Sequence, residues 1–172
     1  IDVQNIRSVV ENLLNRVDMQ RDLYFSEGIL DVLNHASDQA LHGFKLGIDA
    51  TAKVSGEPGF GQNTASIPAA DISPDFRENV LKRFKIVKNC HALDLKNVKH
   101  PVLFAAFEKT GPHQSMKFIR EFLSEDAFSK ISVLIVLEGH VDLKNHSMAM
   151  WKFFANIDPR RDLHFVNGKI GI

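Results

Sequence analysis

The chain has 172 residues, 44% of them apolar and 24% charged, which allows a real core and is ordinary for a folded domain. Lys plus Arg and Asp plus Glu number 21 each, so no charge excess points to nucleic acid or to an acidic substrate. The single cysteine, Cys90, excludes an internal disulfide and suits a reducing, cytoplasmic setting. No apolar run approaches the roughly 20 residues of a membrane span.

Residues 5–17 carry Ile6, Val9, Val10, Leu13, Leu14 and Val17 at helical spacing. Leu23–Phe25 reads as a short strand, Ile29–Leu33 as a helical turn, and Lys45–Ala50 as a second extended piece. Residues 54–73 are rich in Gly, Pro, Ser and Asn and read as a linker. Ser73-Pro74 then opens a helix through Phe84, Ser73 serving as N-cap. Pro101–Phe107 is an almost wholly apolar strand. Gly111–Leu123 is a helix with Met116, Phe118, Ile119, Phe122 and Leu123 on its buried stripe. Ile131–Leu137 is a continuous run rich in β-branched residues, as expected of a strand covered on both faces. Asn145–Ala155 is the next helix and Leu163–Val166 the next strand. The succession predicts an α/β fold with a mainly parallel sheet of β-α-β-α-β type and helices on both faces.

The chain also contains a partial copy of itself. Residues 2–25 align without a gap to residues 142–165, at a constant offset of 140 positions. Asp2/Asp142, Asn5/Asn145, Asp18/Asp158, Arg21/Arg161, Asp22/Asp162, Leu23/Leu163 and Phe25/Phe165 are identical. Lys45-Leu-Gly-Ile48 pairs with Lys169-Ile-Gly-Ile172 at a shorter offset, so the first copy carries an insert before its K-x-G-I segment. The expected organisation is a partial first copy over 1–53, a linker over 54–73 and a second copy forming an α/β domain over 74–172. A start at Ile1 and an end at Ile172, each inside a copy, read as cuts in a longer protein. The two copies are expected to share one core, with Phe153 as a core aromatic whose loss would cost ~3–5 kcal/mol.

Chemistry is sparse along the chain. The eight histidines form neither H-x-x-x-H nor H-E-x-x-H, and no cysteine pair joins them, so no metal ligand is expected. Cys90 and His91 are adjacent and would point to opposite faces of a strand, against a catalytic pair. Gly59-Phe60-Gly61 lacks the third glycine and preceding strand of a dinucleotide loop. The best candidates for ligand contact are Lys109, Thr110, Gly111 and His113 after the first apolar strand, and His140 after the second. In open α/β sheets ligands bind outside the carboxyl ends of strands, and helix N-termini attract anions. Capping by Asp142 or Asn145 and a turn at Gly139 explain much of the same pattern. The Asp-x-x-Arg-Asp turns at 18–22 and 158–162 read as structural, with Arg21 and Arg161 placed to satisfy helix C-terminal carbonyls.

The strand ending in Glu108-Lys109, the run ISVLIVLEGHVDLKN, the helix containing Trp151 and the turn Ile157-Asp158-Pro159-Arg160-Arg161-Asp162 together resemble the C-terminal region of UbiD-type decarboxylases. These are the 3-polyprenyl-4-hydroxybenzoate carboxy-lyases. VDMQRDL at 17–23, LDVLNHAS at 30–37 and KLGIDATAK at 45–53 look like the family's D-P-x-R-D, L-D-x-x-x-x-A-S and K-x-G-[IL]-D-A-T segments, with Met19 in place of the proline. The resemblance implies decarboxylation of an aromatic or α,β-unsaturated acid, as in ubiquinone or menaquinone biosynthesis, by a full-length protein using prenylated FMN and a divalent metal. It also implies that the catalytic set and the flavin and metal ligands belong to a preceding flavin-binding domain. No catalytic residue, cofactor or metal is therefore expected in this segment. The expected role is non-catalytic assembly or closure, with homo-oligomerisation. The alternatives are an independent small-molecule or anion-binding α/β domain, or a protein-interaction module.

Overall fold

In a computed structural model, residues 2–61, 73–95 and 98–172 are described. The elements are α1 (Ile6–Arg16), β1 (Leu23–Ile29), β2 (His42–Ile48), α2 (Pro74–Arg83), β3 (Val87–Ala92), β4 (Val102–Phe107), α3 (Gln114–Ser124), β5 (Val133–Glu138), α4 (His146–Asn156), α5 (Pro159–Asp162), β6 (His164–Val166) and β7 (Lys169–Gly171). Residues 54–61 are a run of turns, and the expected linker from 62 to 72 lies outside the described residues. Residues 29–33 are not a helical turn. Ile29 ends β1, and Asn34 donates to the Asp31 carbonyl in a single turn.

Local chemistry sets the helix starts. Asn5 caps α1 by accepting from the Ser8 N–H, Ser73 caps α2 through the Phe76 N–H, and Asn145 caps α4 through the Met148 N–H. The structure therefore uses Asn145 as the cap, while Asp142 accepts from the Lys144 N–H in the preceding turn.

Five strands form one sheet in the order β3-β4-β5-β7-β6. β4, β5 and β7 run parallel, and β3 and β6 pair antiparallel at the two edges. The sheet is mixed, which corrects the mainly parallel expectation. One reason is the hairpin between β6 and β7. Asn167 and Gly168 both adopt left-handed φ angles, 50° and 75°, the geometry a tight two-residue hairpin requires. The segment 163–166 is thus the outer arm of a hairpin, and Lys169–Gly171 takes the place beside β5. The other reason is β3, an edge strand whose polar sequence gives no apolar signal.

Alternation along the central strands divides the interior in two. Val102, Phe104 and Ala106 of β4, with Val133 and Ile135 of β5, face a cluster built with Leu14, Val17, Met19, Leu143, Ala149, Leu163 and Ile170. Leu103, Ala105 and Phe107, with Leu134, face the other side. There Phe76, Phe84, Phe118, Phe122 and Phe128 pack together, with ring centroids 4.7–5.8 Å apart. With Phe107, six of the 13 phenylalanines thus make one core. α3 packs on this face and α4 on the other. Two right-handed parallel crossovers in one direction would put both helices on one face. The β5-to-β6 connection joins antiparallel strands, so that rule does not constrain α4.

β1 and β2 form a separate antiparallel ribbon. A two-stranded ribbon is marginal alone, and this one is anchored through Leu23, Leu46 and Ala50 against the cluster that holds Leu14 and Val17. The loop ahead of β4 is tied to α1 as well. Lys99 N–H donates to Asn15 Oδ1 at 2.8 Å, and the buried His100 ring nitrogen Nε2 lies 2.9 Å from the Val17 carbonyl.

Candidate functional site

The carboxyl ends of β4 and β5 open into a cleft of about 490 Å³ lined by Lys88, Phe107, Glu108, Lys109, Glu138, Gly139 and His140. Lys109 and His140, from separate loops, meet here as the sequence suggests. The other three candidates do not line it. Thr110 and Gly111 direct their N–H groups to Gln114 Oε1, at 2.8 and 3.0 Å. His113 sits at the start of α3 in a left-handed conformation without a side-chain capping bond. The Gln114 side chain thus turns back onto the loop before α3 and satisfies two of its N–H groups.

The charges of the cleft are largely paired inside it. Lys88 meets Glu108, while Glu138 lies 3.5 Å from His140 Nε2 and 3.9 Å from Lys152 Nζ. All four cleft partners are exposed, so these contacts orient side chains more than they stabilise the fold. Lys109 makes none of these pairs, so one cation of the cleft stays open to an anionic group. Among the described residues no group of three or more His, Cys, Asp or Glu converges on one point.

A second polar centre lies beside β2. Lys53 Nζ donates to Asp22 Oδ1 at 2.7 Å and Asp49 Oδ2 at 3.1 Å, and Asp22 is buried. Hydrogen bonds from the Thr51 hydroxyl and N–H, then Lys53, hold the Asp49 carboxyl down at about 2. Bonding to Asp22 raises Lys53 above its ordinary range. The segment DATAK is thus locked to the Asp-x-x-Arg-Asp turn that precedes β1. Sequence reading treats the two motifs separately, and only their contact shows that they form one unit.

The two Asp-x-x-Arg-Asp turns have matching bonds. Asp22 Oδ2 accepts from the Asp18 N–H and Asp162 Oδ2 from the Asp158 N–H, both at 2.8 Å. Arg161 reaches the Asn156 carbonyl at the end of α4, as expected of a basic residue there. Arg21 instead stays near Asp18, 3.8 Å away, on the surface. Cys90 is buried among the phenylalanines, and burial pushes its thiol up to about 11, which leaves it a packing residue.

The model of the 3-octaprenyl-4-hydroxybenzoate carboxy-lyase C-terminal domain matches residues 1–50 and 67–172. The chain belongs to this UbiD C-terminal domain family. It is 27% identical over 165 residues to an uncharacterized protein of Helicobacter pylori (strain ATCC 700392 / 26695), covering 94% of this chain and 25% of that relative. A protein of strain J99 matches to the same extent. An uncharacterized protein of Aquifex aeolicus (strain VF5) is 35% identical over 80 residues, covering 46% of this chain and 16% of the relative. The chain spans about a quarter of the length of its Helicobacter relatives. No solved structure matches it. A UbiD C-terminal domain is part of a multidomain carboxy-lyase architecture, and no helix among the described residues is long and apolar enough to cross a membrane.

Proposed function

We propose that this chain is a non-catalytic assembly and lid domain of a UbiD-like carboxy-lyase. The parent protein would decarboxylate an aromatic or α,β-unsaturated acid in the cytoplasm, in a quinone-type biosynthesis. Prenylated FMN and its metal would sit in a preceding domain. The observation that carries this reading is α4. Its Ala149, Met150 and Phe153 pack into the core, while Met148, Trp151 and Phe154 are 45%, 62% and 66% exposed. A helix apolar on all sides is ordinarily covered on all sides, and exposed aromatic groups of this kind mark contact surfaces. The covering surface in this reading is the flavin domain or a second subunit.

The matched bonds of the two halves support a partial duplication, with copies over 1–53 and 74–172 joined by 54–73. β1 pairs Tyr24 with Gly47 and Phe25 with Leu46, while β6 pairs His164 with Gly171 and Phe165 with Ile170. These are the same registers under the two sequence offsets.

The test is fluorescence titration of this chain with FMN and prenylated FMN, with light scattering on the same sample. Absence of flavin binding together with a defined oligomer, or capture of the separately expressed upstream segment, supports the assembly role. Saturable flavin binding would overturn it and favour a small-molecule site. The cleft that brings Lys109 and His140 together is the place to mutate in that event.

A further inference from the structure

His91 and His146 stand 55 positions apart, and the fold brings their rings together. Cys90 turns into the phenylalanine core, so His91, its neighbour on β3, points to the opposite side of the sheet. There it meets His146, the first residue of α4. The two Nε2 atoms are 3.2 Å apart, the ring centroids 5.4 Å apart and the planes inclined at 34°. His146 is exposed and His91 half-buried, so the pair is reachable from solvent.

In the neutral pair one Nε2 carries a proton and the other accepts it. An ion that replaces this proton would find two imidazole lone pairs already close together. Two nitrogens bound to one tetrahedral ion at about 2.0–2.1 Å lie ~3.3 Å apart, which the observed spacing matches. We propose that His91 and His146 form a binding site for a divalent transition-metal ion of the zinc, nickel or copper class. Nε2 of each ring is a ligand and water completes the shell. Imidazole suits these metals, and all three prefer it to the oxygen ligands that hold magnesium or calcium.

Binding needs only a proton released from the pair and a small rotation of the exposed His146 ring, so that both lone pairs turn towards one point beside the N–N line. Asp94 and Asp142 contribute negative charge around His91, while Lys144 and the positive end of α4 oppose the ion. With two protein ligands the site is an exchangeable one rather than a closed structural centre. Its consequence is mechanical. The ion ties the edge strand β3 to the start of α4, the helix whose outer face carries Met148, Trp151 and Phe154. The site is independent of the assembly role proposed above.

Isothermal titration of the 172-residue chain with Zn²⁺ and then Ni²⁺ at neutral pH tests it. The expected result is saturable binding of one ion per chain, with a Zn²⁺-dependent rise in melting temperature. His146→Ala should weaken binding by at least the ~10–100-fold that loss of a mere outer-shell partner costs. His91→Gln should do the same, and the double variant His113→Ala/His140→Ala should keep the wild-type affinity. Because His146 is exposed, its variant decides the matter even if His91→Gln perturbs β3. Absence of saturable binding, or binding unchanged in His146→Ala, would overturn the proposal.

Discussion

Asp22 and Asp162 return to the N–H four residues earlier, but Asp22, itself buried, also holds the partly buried Lys53. The two aspartates should therefore differ in cost. Asp22→Ala strands the Asp18 N–H and leaves Lys53 with Asp49 alone, an expected loss of ~1–3 kcal/mol, the range for unsatisfying buried polar groups. Lys117→Ala, which breaks an exposed pair with Glu121, should change stability by less than about 0.5 kcal/mol. Urea unfolding of both variants checks the contrast, and equal effects would mean the Lys53 cluster is no tighter than a surface pair. The histidines supply a pH dependence. Burial first of all lowers His100, His91 and His164, against contributions of either sign from neighbouring groups. For His100 these are the Val17 carbonyl and Asp18, which raise it, and Lys99, which lowers it. A lowered base stays neutral in the folded chain while the unfolded chain takes up a proton. Stability should hold above the ordinary histidine range near pH 6.5 and fall as pH drops below it. His100→Gln should flatten part of that fall in urea midpoints measured from pH 7.5 to 5.

Gly171 and Gly47 occupy equivalent registers in the two hairpins, yet their surroundings differ. A Cβ on Gly171 would lie 2.1 Å from Ile119 Cγ2, because β7 passes directly under α3. At Gly47 the nearest atoms are 3.7 Å away. Gly171→Ala should destabilise by ~1–3 kcal/mol, the range for overpacking, and Ile119→Ala, which removes the clashing Cγ2, should cost less in that background than in the wild type. Gly47→Ala should be tolerated within about 0.5 kcal/mol. Thermal melts of these variants decide whether α3 and β7 meet this closely. The same two strands mark where the sequence is legible. Helices with a clear cap, such as α1 and α2, or a strong apolar stripe, such as α3, are readable to within a few residues. So are β4 and β5, whose unbroken apolar runs report burial on both faces. β3 is not readable, because an edge strand with Lys88, Asn89 and His91 needs burial at only alternate positions. The β6–β7 hairpin hides too, since three-residue strands are too short to display a period. Its Asn-Gly turn is the signal that could have revealed it. Of the candidate residues, Lys109 and His140 converge because the carboxyl ends of neighbouring parallel strands must. The Lys53 cluster and the His91–His146 pair depend on packing between distant segments, which no local spacing encodes.

At the scale of the molecule, stability and assembly separate onto opposite sides of α4. Phe153 is half-buried against the cluster that contains Leu14 and Val17, rather than the fully buried aromatic expected from the repeat. Phe153→Ala should thus fall below the ~3–5 kcal/mol of a fully buried phenylalanine. Phe122→Ala, which empties the middle of the opposite core, should reach that range. Trp151 and Phe154 make a different demand. Their rings are mostly in solvent here, so replacing both with Ser should leave the urea midpoint of this chain nearly unchanged. If α4 is an assembly surface, the same double variant should weaken association, whether of this chain with itself or with the upstream segment. A specific interface buries roughly 1,200–2,000 Å², and central aromatic residues carry much of its energy. Sedimentation velocity over a concentration series, on wild type and the double variant, reads this directly. A shift towards smaller species at unchanged stability assigns the outer face of α4 to assembly. Identical sedimentation of the two proteins, alone and mixed with the upstream segment, would remove α4 from the interface and move the search to the exposed apolar residues of the β1–β2 ribbon.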